Sequence, residues 1–279
     1  MILSFGPSSE STPATALAMS LPSLVALVGY AAAAFAREGF SGALRGLLVA
    51  AWLAHGVAIV IDVAGFGARV PGAHFGFAPA LSVTLWVVLA VYGLESRYVA
   101  LPGARRPLLL SACVVVLLAW AFPGQSHPLA PSRWAPLHWL LGFASYGLFG
   151  VAVLHAVLLN RAERQLRRTP VVGASVGEGV PLLRLERLTY RFVAAGFVAL
   201  SAAIVLGALY ASPWRWDHKT VFSMLGWLVF AGLLGGRLAF GWRGPQATRW
   251  LYVGAALLLL AYVGSRFVFE VLLHRVPGT

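Results

Sequence analysis

The stretch YRFVAAGFVALSAAIVLGALYASPWRWDHKTVFSMLGWLVFAGLLGGR, residues 190–237, decides how this chain folds. Two apolar runs flank nine positions, 212–220, that read SPWRWDHKT. Those nine hold two tryptophans, Arg215, Asp217, His218 and the chain's only lysine, Lys219. An apolar run of about 20 residues crosses a bilayer as a helix, because a helix satisfies every backbone polar group within itself. The stretch therefore reads as two transmembrane helices joined by a polar turn.

The same pattern extends over the whole chain. Runs at 14–36, 46–64, 77–94, 107–122, 134–160, 190–210, 221–240 and 248–272 are each apolar enough to span. The composition agrees: 59% of residues are hydrophobic and 11% charged, against about 25% charged in a soluble domain. The expected fold is an all-α polytopic membrane protein, a bundle of eight transmembrane helices forming one membrane domain over 1–279. No repeat of 20–50 residues is visible, which argues against a solenoid or an inverted-repeat transporter. Residues 1–13 hold no Lys or Arg and include Glu10. A signal peptide needs a positive leading segment, so the first run is expected to remain as a span.

A net charge of +12 invites a nucleic-acid reading, but the basic residues sit in short loops between apolar runs. There, charge orients a membrane protein. Alternate loops divide 15 to 6 in Lys and Arg. The rich set holds Arg37, Arg97, Arg237 and seven arginines from Arg161 to Arg191; the poor set holds Arg69, Arg133, Arg215 and Lys219. The positive-inside rule places the rich set in the cytoplasm. Both termini and SPWRWDHKT then lie outside. Segment 161–191 reads as a cytoplasmic basic loop near anionic lipid, or as a docking segment for a cytoplasmic partner.

Most catalytic chemistry has no residues to stand on. There is no Walker A, HExxH or CxxC pattern. Cys113 is the one cysteine, so no intramolecular disulfide forms. Histidines are the informative residues. His74, His127 and His218 fall in outer loops, His138 about one turn into the fifth run, and His274 just past the eighth. Five of seven histidines therefore gather at one face, as a shared heme or metal site requires. His138 and His155 share a run, 17 residues apart, or about 25 Å along a helix, so they cannot ligate one iron. His155 is expected to hydrogen-bond inside the bundle. His55 lies mid-run with Trp52, Ile59 and Asp62 on its stripe. That stripe faces the bundle interior, with His55 either a ligand or a buried helix contact. Trp214 and Trp216 read either as interfacial belt residues or as a stacking surface.

Residues 190–244, ending GLLGGRLAFGWRG, resemble the tryptophan-rich core of the cytochrome c assembly family, the CcsA/HemX-like heme-handling proteins. PLHWLLGFASYGLFGVAVLHAVLL, 136–159, resembles the preceding histidine-bearing span. The pattern HKT…GW…GWRG…AYVGSRFV at 218–268 is similar to the YpjD-like, eight-span inner-membrane branch. The resemblance covers residues 130–279 well and 43–94 more loosely. It implies heme bound at the outer face of a bacterial inner membrane, within a core over 134–274. His138 and His274 match its axial ligands, and Trp214, Trp216 and Asp217 match the end of its tryptophan-rich motif. His218 stands beside that motif as another candidate. The motif is shorter here, and His218-Lys219-Thr220 replaces Pro-Lys-Glu. Gly235-Gly236 stands where fuller members carry a seventh-span histidine.

Two functions follow. One is a heme-binding protein of cytochrome c biogenesis or heme trafficking, with other biogenesis proteins as partners. The other is a non-catalytic regulator that recruits a cytoplasmic partner through 161–191. A small-molecule permease is a weaker third, since no broken-helix pair is visible.

Overall fold

The computed structural model describes residues 13–36, 42–66, 73–97, 103–127, 134–168, 182–210, 216–264 and 267–268. The apolar runs fold as α1 (Pro13–Phe35), α2 (Gly42–Ala64), α3 (Phe77–Glu95), α4 (Arg105–Ala121), α5 (Ala135–Arg168), α6 (Leu182–Tyr210), α7 (His218–Phe240) and α8 (Gly244–Leu259). A π-helical turn, Leu260–Gly264, continues α8.

Six of these helices are long and apolar enough to cross a membrane: α2, α3, α5, α6, α7, and α8 with its π turn. The chain is a multi-pass membrane protein. The fourth run is shorter than a full span, because α4 has 17 residues, about 26 Å of rise. Large apolar side chains face outward throughout; Leu238, for example, is 88% exposed. In water such a surface would drive association, whereas in lipid it is the expected exterior.

Two further details depart from the sequence reading. The fold is not wholly helical: β1 (Ala73–Phe75) pairs antiparallel with β2 (Gln125–His127), His74 opposite Ser126. A loop of a helical bundle carries free backbone donors and acceptors, and pairing two loops satisfies them. The ladder also shows that the α2–α3 and α4–α5 connections lie at one end of the bundle. In addition, the basic segment 161–191 is not a plain loop. α5 continues to Arg168 and α6 begins at Leu182. RAERQLRR is built from strong helix formers, so the helix carries on past the apolar run, to a total of about 51 Å over 34 residues.

Two cores hold the bundle. One joins α1 to α6 around Tyr30, Ala51, Leu109, Val151 and Leu185; the other joins α5 to α8 around Phe149, Val193, Phe230 and Leu251. α5 and α6 belong to both. Glycines permit close approach at the crossings: a Cβ on Gly254 would sit 2.8 Å from Phe230, and one on Gly147 2.7 Å from Val87. The α7–α8 corner turns on Gly241, at φ 65°, whose N–H donates to the Arg237 carbonyl in a Schellman-type cap. Trp242 then folds back over Gly236, where a Cβ would lie 2.4 Å from the indole. Gly236 is thus occupied by packing against Trp242.

Candidate functional site

A cavity of about 240 Å³ lies between α3, α5, α6, α7 and the end of α8. That is just under the usual size of small-molecule sites, about 300–1,000 Å³. α3, α5 and α7 contribute from their first turns or first half: Ala80; His138, Trp139, Gly142, Phe143, Ser145 and Tyr146; Lys219 and Ser223. α6 contributes Leu200, Ala203 and Ile204 from its second half, and Leu258 and Tyr262 close the far wall. Helix direction alternates through the bundle, so this is the end that carries the β1–β2 ladder.

His138 is the cavity's candidate ligand. Its Nδ1 lies 2.8 Å from the Ala203 carbonyl oxygen on α6. A carbonyl accepts, so Nδ1 carries the proton and Nε2 is the lone-pair nitrogen. This is how metal-binding histidines are commonly held: one ring N–H is anchored to a carbonyl, which fixes ring and tautomer. Gly207, one turn on from Ala203, makes room for the ring. A Cβ there would sit 3.0 Å from Cε1 and 3.3 Å from Nδ1.

Aromatic residues form the apolar wall. Trp139, Phe143 and Tyr146 stand on α5 at i, i+4 and i+7, the spacing of one helix face. The Tyr146 hydroxyl donates to the Leu258 carbonyl, pinning α5 to α8 just before the π turn. Such turns interrupt the helix ladder and commonly mark functional positions. Here the turn carries Tyr262 into the cavity wall. The sequence reading missed Trp139, Phe143, Tyr146 and Tyr262. The i, i+4, i+7 aromatics after His138 were the available signal.

The other expected residues are placed differently. Trp214 and His274 lie outside the described residues. Trp216 is 70% exposed and absent from the cavity lining. Asp217 caps α7, accepting from the Thr220 backbone N–H at 2.8 Å. Partial burial by itself would raise its carboxyl. The Thr220 hydrogen bonds and the charges of Lys219 and His218 outweigh that and hold it below the usual carboxylate range. His218 begins α7 and is exposed.

His55 stands apart from the cavity and is 1% exposed. Tyr30 Oη is 3.2 Å from its Nδ1 and Ser82 Oγ 2.8 Å from its Nε2. With both ring nitrogens engaged, His55 links α1, α2 and α3 as a buried hydrogen-bonded contact, the second of its two sequence readings. One helical turn before it, Trp52 stacks on Trp86 at 4.4 Å and 6°. Each indole N–H donates to the other's backbone carbonyl, at 3.0 and 2.9 Å. His155 is fully buried, with Nδ1 2.9 Å from the Val151 carbonyl and Nε2 2.7 Å from Glu95. It is an internal helix contact, as expected.

Among the described residues no group of three His, Cys, Asp or Glu could hold a bare metal ion. A heme needs less from the protein: an axial imidazole, an apolar slot for the ring and a partner for its acid groups. The anchored His138 supplies such an imidazole and the aromatic residues such an apolar wall.

Comparison with known proteins agrees with the sequence resemblance. An uncharacterized 28.8 kDa protein of Azospirillum brasilense is 31% identical over 214 residues, 72% of this chain and 77% of that one. Cytochrome c biogenesis protein CcsA of Parasynechococcus marenigrum is 31% identical over 216 residues, 66% of this chain and 70% of that one. The CcsA of Prochlorococcus marinus is 27% identical over 168 residues, covering 50% and 53%. No solved structure matches the chain. The pattern of the family described as "Cytochrome C assembly protein" matches residues 16–273, nearly the full length, and this chain belongs to that family.

Proposed function

We propose that this chain is an integral membrane protein of cytochrome c biogenesis that holds heme at the outer face of a bacterial inner membrane, with His138 as an axial ligand. The observation that carries this reading is His138 itself: a histidine anchored through Nδ1 to the Ala203 carbonyl, in a cavity walled by Trp139, Phe143, Tyr146 and Tyr262. The similarity to CcsA proteins supports the pathway. In this reading all eight helices cross the membrane, α1 and α4 joining the other six, with both termini outside. The charge count and the cavity's position at the β1–β2 end support that orientation.

Heme, when bound, supplies an iron that takes an imidazole ligand and a flat apolar ring bearing propionates. The chain's residues orient and enclose it. Ala203 fixes the His138 tautomer, the α5 aromatics offer stacking faces worth about 1 kcal/mol each beyond area burial, and the pinned Tyr146 holds the far wall. His274 is the proposed second ligand, with His218 the alternative beside the cavity mouth. Trp214, Trp216 and Asp217 are the further proposed heme contacts, Trp216 being exposed for contact with heme or a receiving protein.

The test is an absorption spectrum of the purified protein after heme-replete expression. A Soret band of a histidine-ligated heme is expected; its absence, on a folded protein, overturns the reading. The regulator alternative draws on the helical extensions past the apolar runs, where Arg161, Arg164, Arg184 and Arg187 are exposed. It predicts a defined protein crosslinked from those positions.

A further inference from the structure

We infer that Lys219 is the anchor for the ligand's carboxylates, so that the cavity selects a porphyrin with free acid groups over a neutral one. This rests on the porphyrin reading above and names how the ligand is oriented within it.

Four observations converge. Lys219 is the chain's only lysine, and it lines a cavity whose other walls are largely aromatic and aliphatic. Its position is fixed by its element: it is the second residue of α7, at the cavity mouth. Its ammonium lies 5.4 Å from the centroid of the Tyr262 ring, within the range of a cation–π contact, which holds the head group toward the cavity. Ser223, one helical turn later on the same face, also lines the cavity and adds a hydroxyl donor.

The local field supports an anion at this spot. The amino end of α7 carries the positive end of the helix dipole. Asp217 accepts from the Thr220 N–H and offsets part of the Lys219 charge, which leaves the dipole and the rest of the ammonium to favour an anion. No Asp or Glu lines the cavity among the described residues. An ammonium beside an aromatic-walled apolar space is thus matched to an apolar ligand with an acidic edge. His138 approaches from α5 and Lys219 from α7, so the two engage different parts of one ligand: the metal centre and the acid edge.

The experiment compares four probes on the full chain in detergent: heme, heme dimethyl ester, iron-free protoporphyrin IX and its dimethyl ester. Binding is followed by absorption and by tryptophan quenching. In the native protein the free acids bind about tenfold or more tighter than the esters, the scale of one charge-assisted hydrogen bond. Lys219→Ala removes that preference, weakening the acids while leaving the esters unchanged, and Lys219→Arg restores it. Equal affinity of acid and ester in the native protein, or equal loss for both in Lys219→Ala, overturns the inference. The iron-free pair separates this result from the ligand assignment. If protoporphyrin binding depends on Lys219 while heme binding ignores His138, the carboxylate anchor stands and the axial-ligand reading falls. If none of the four binds, both fall.

Discussion

Substituting Gly207 with alanine should loosen the proposed heme by pushing on the His138 ring rather than by removing it. The new Cβ would sit 3.0 Å from His138 Cε1 and 3.3 Å from Nδ1. Carbon–carbon contact is comfortable at about 3.5–4.0 Å, so the imidazole must retreat by about 0.5 Å or more. Its Nδ1–Ala203 bond, now 2.8 Å, would then stretch to about 3.3 Å or beyond, outside good hydrogen-bond range. The structural loss is about 0.5–1.5 kcal/mol. The functional loss should be larger, because removing the partner that orients a metal-bound histidine typically costs about 10–100-fold in affinity. Heme titration of purified Gly207→Ala, followed at the Soret band, should show that increase in Kd. Gly235→Ala is the control, since nothing lies within 4 Å of its added Cβ, and it should bind as the native protein does. Native affinity in a folded Gly207→Ala protein would refute the link between ring anchorage and heme binding.

The buried His55 network is expected to be structural. His55→Ala leaves Tyr30 and Ser82 polar groups unsatisfied, at about 1–3 kcal/mol each, so thermal stability in detergent falls while the heme spectrum stays unchanged. Gly236→Ala forces a Cβ into the Trp242 ring and should cost about 1–3 kcal/mol by overpacking, seen as a lower unfolding midpoint than that of Gly235→Ala. Asp217→Ala should expose the Thr220 amide to faster hydrogen exchange, at about 0.5–2 kcal/mol for a lost cap. The same cap is acid-sensitive: the carboxyl of Asp217 is held below its usual range in the folded protein, so its contribution is present above about pH 4 and is lost as pH falls through the lowered folded value. Asp217→Asn should flatten that dependence in a pH series of exchange rates.

Much of the bundle was legible because membrane spans declare themselves locally. A run of apolar residues is long enough or it is not, and the helices begin and end within a few residues of the expected runs wherever Pro, Gly or charge interrupts them. The ends of the basic segment are helical, through Arg168 and from Leu182, because polarity marks the end of an apolar run, not the end of a helix. The β1–β2 ladder was invisible because it joins residues 73–75 to 125–127, a pairing between distant loops that no local pattern encodes.

The site was legible in its anchor but not in its walls. His138 stood out because an ionisable group near a span end is costly without a purpose. The residues that hold its ring did not, because Ala203 acts through a backbone carbonyl and Gly207 through the absence of a side chain. Trp139 and Tyr146 were hidden among aromatics that lipid would also accommodate. Tyr262 reaches the cavity from a π turn, which shifts the helical face and defeats a regular spacing. His55 could be a ligand or a contact from its stripe alone; its two hydrogen bonds, to Tyr30 and Ser82, come from helices whose approach the stripe does not specify.

The central claim is that His138 binds heme iron, and paired substitutions on one helix test it most directly. His138→Ala and His155→Ala are each expressed with heme and purified, and their visible spectra recorded. Loss or marked shift of the histidine-ligated Soret band in His138→Ala, with the native band kept in His155→Ala, is the result the account predicts. An unchanged band in a folded His138→Ala protein would contradict it.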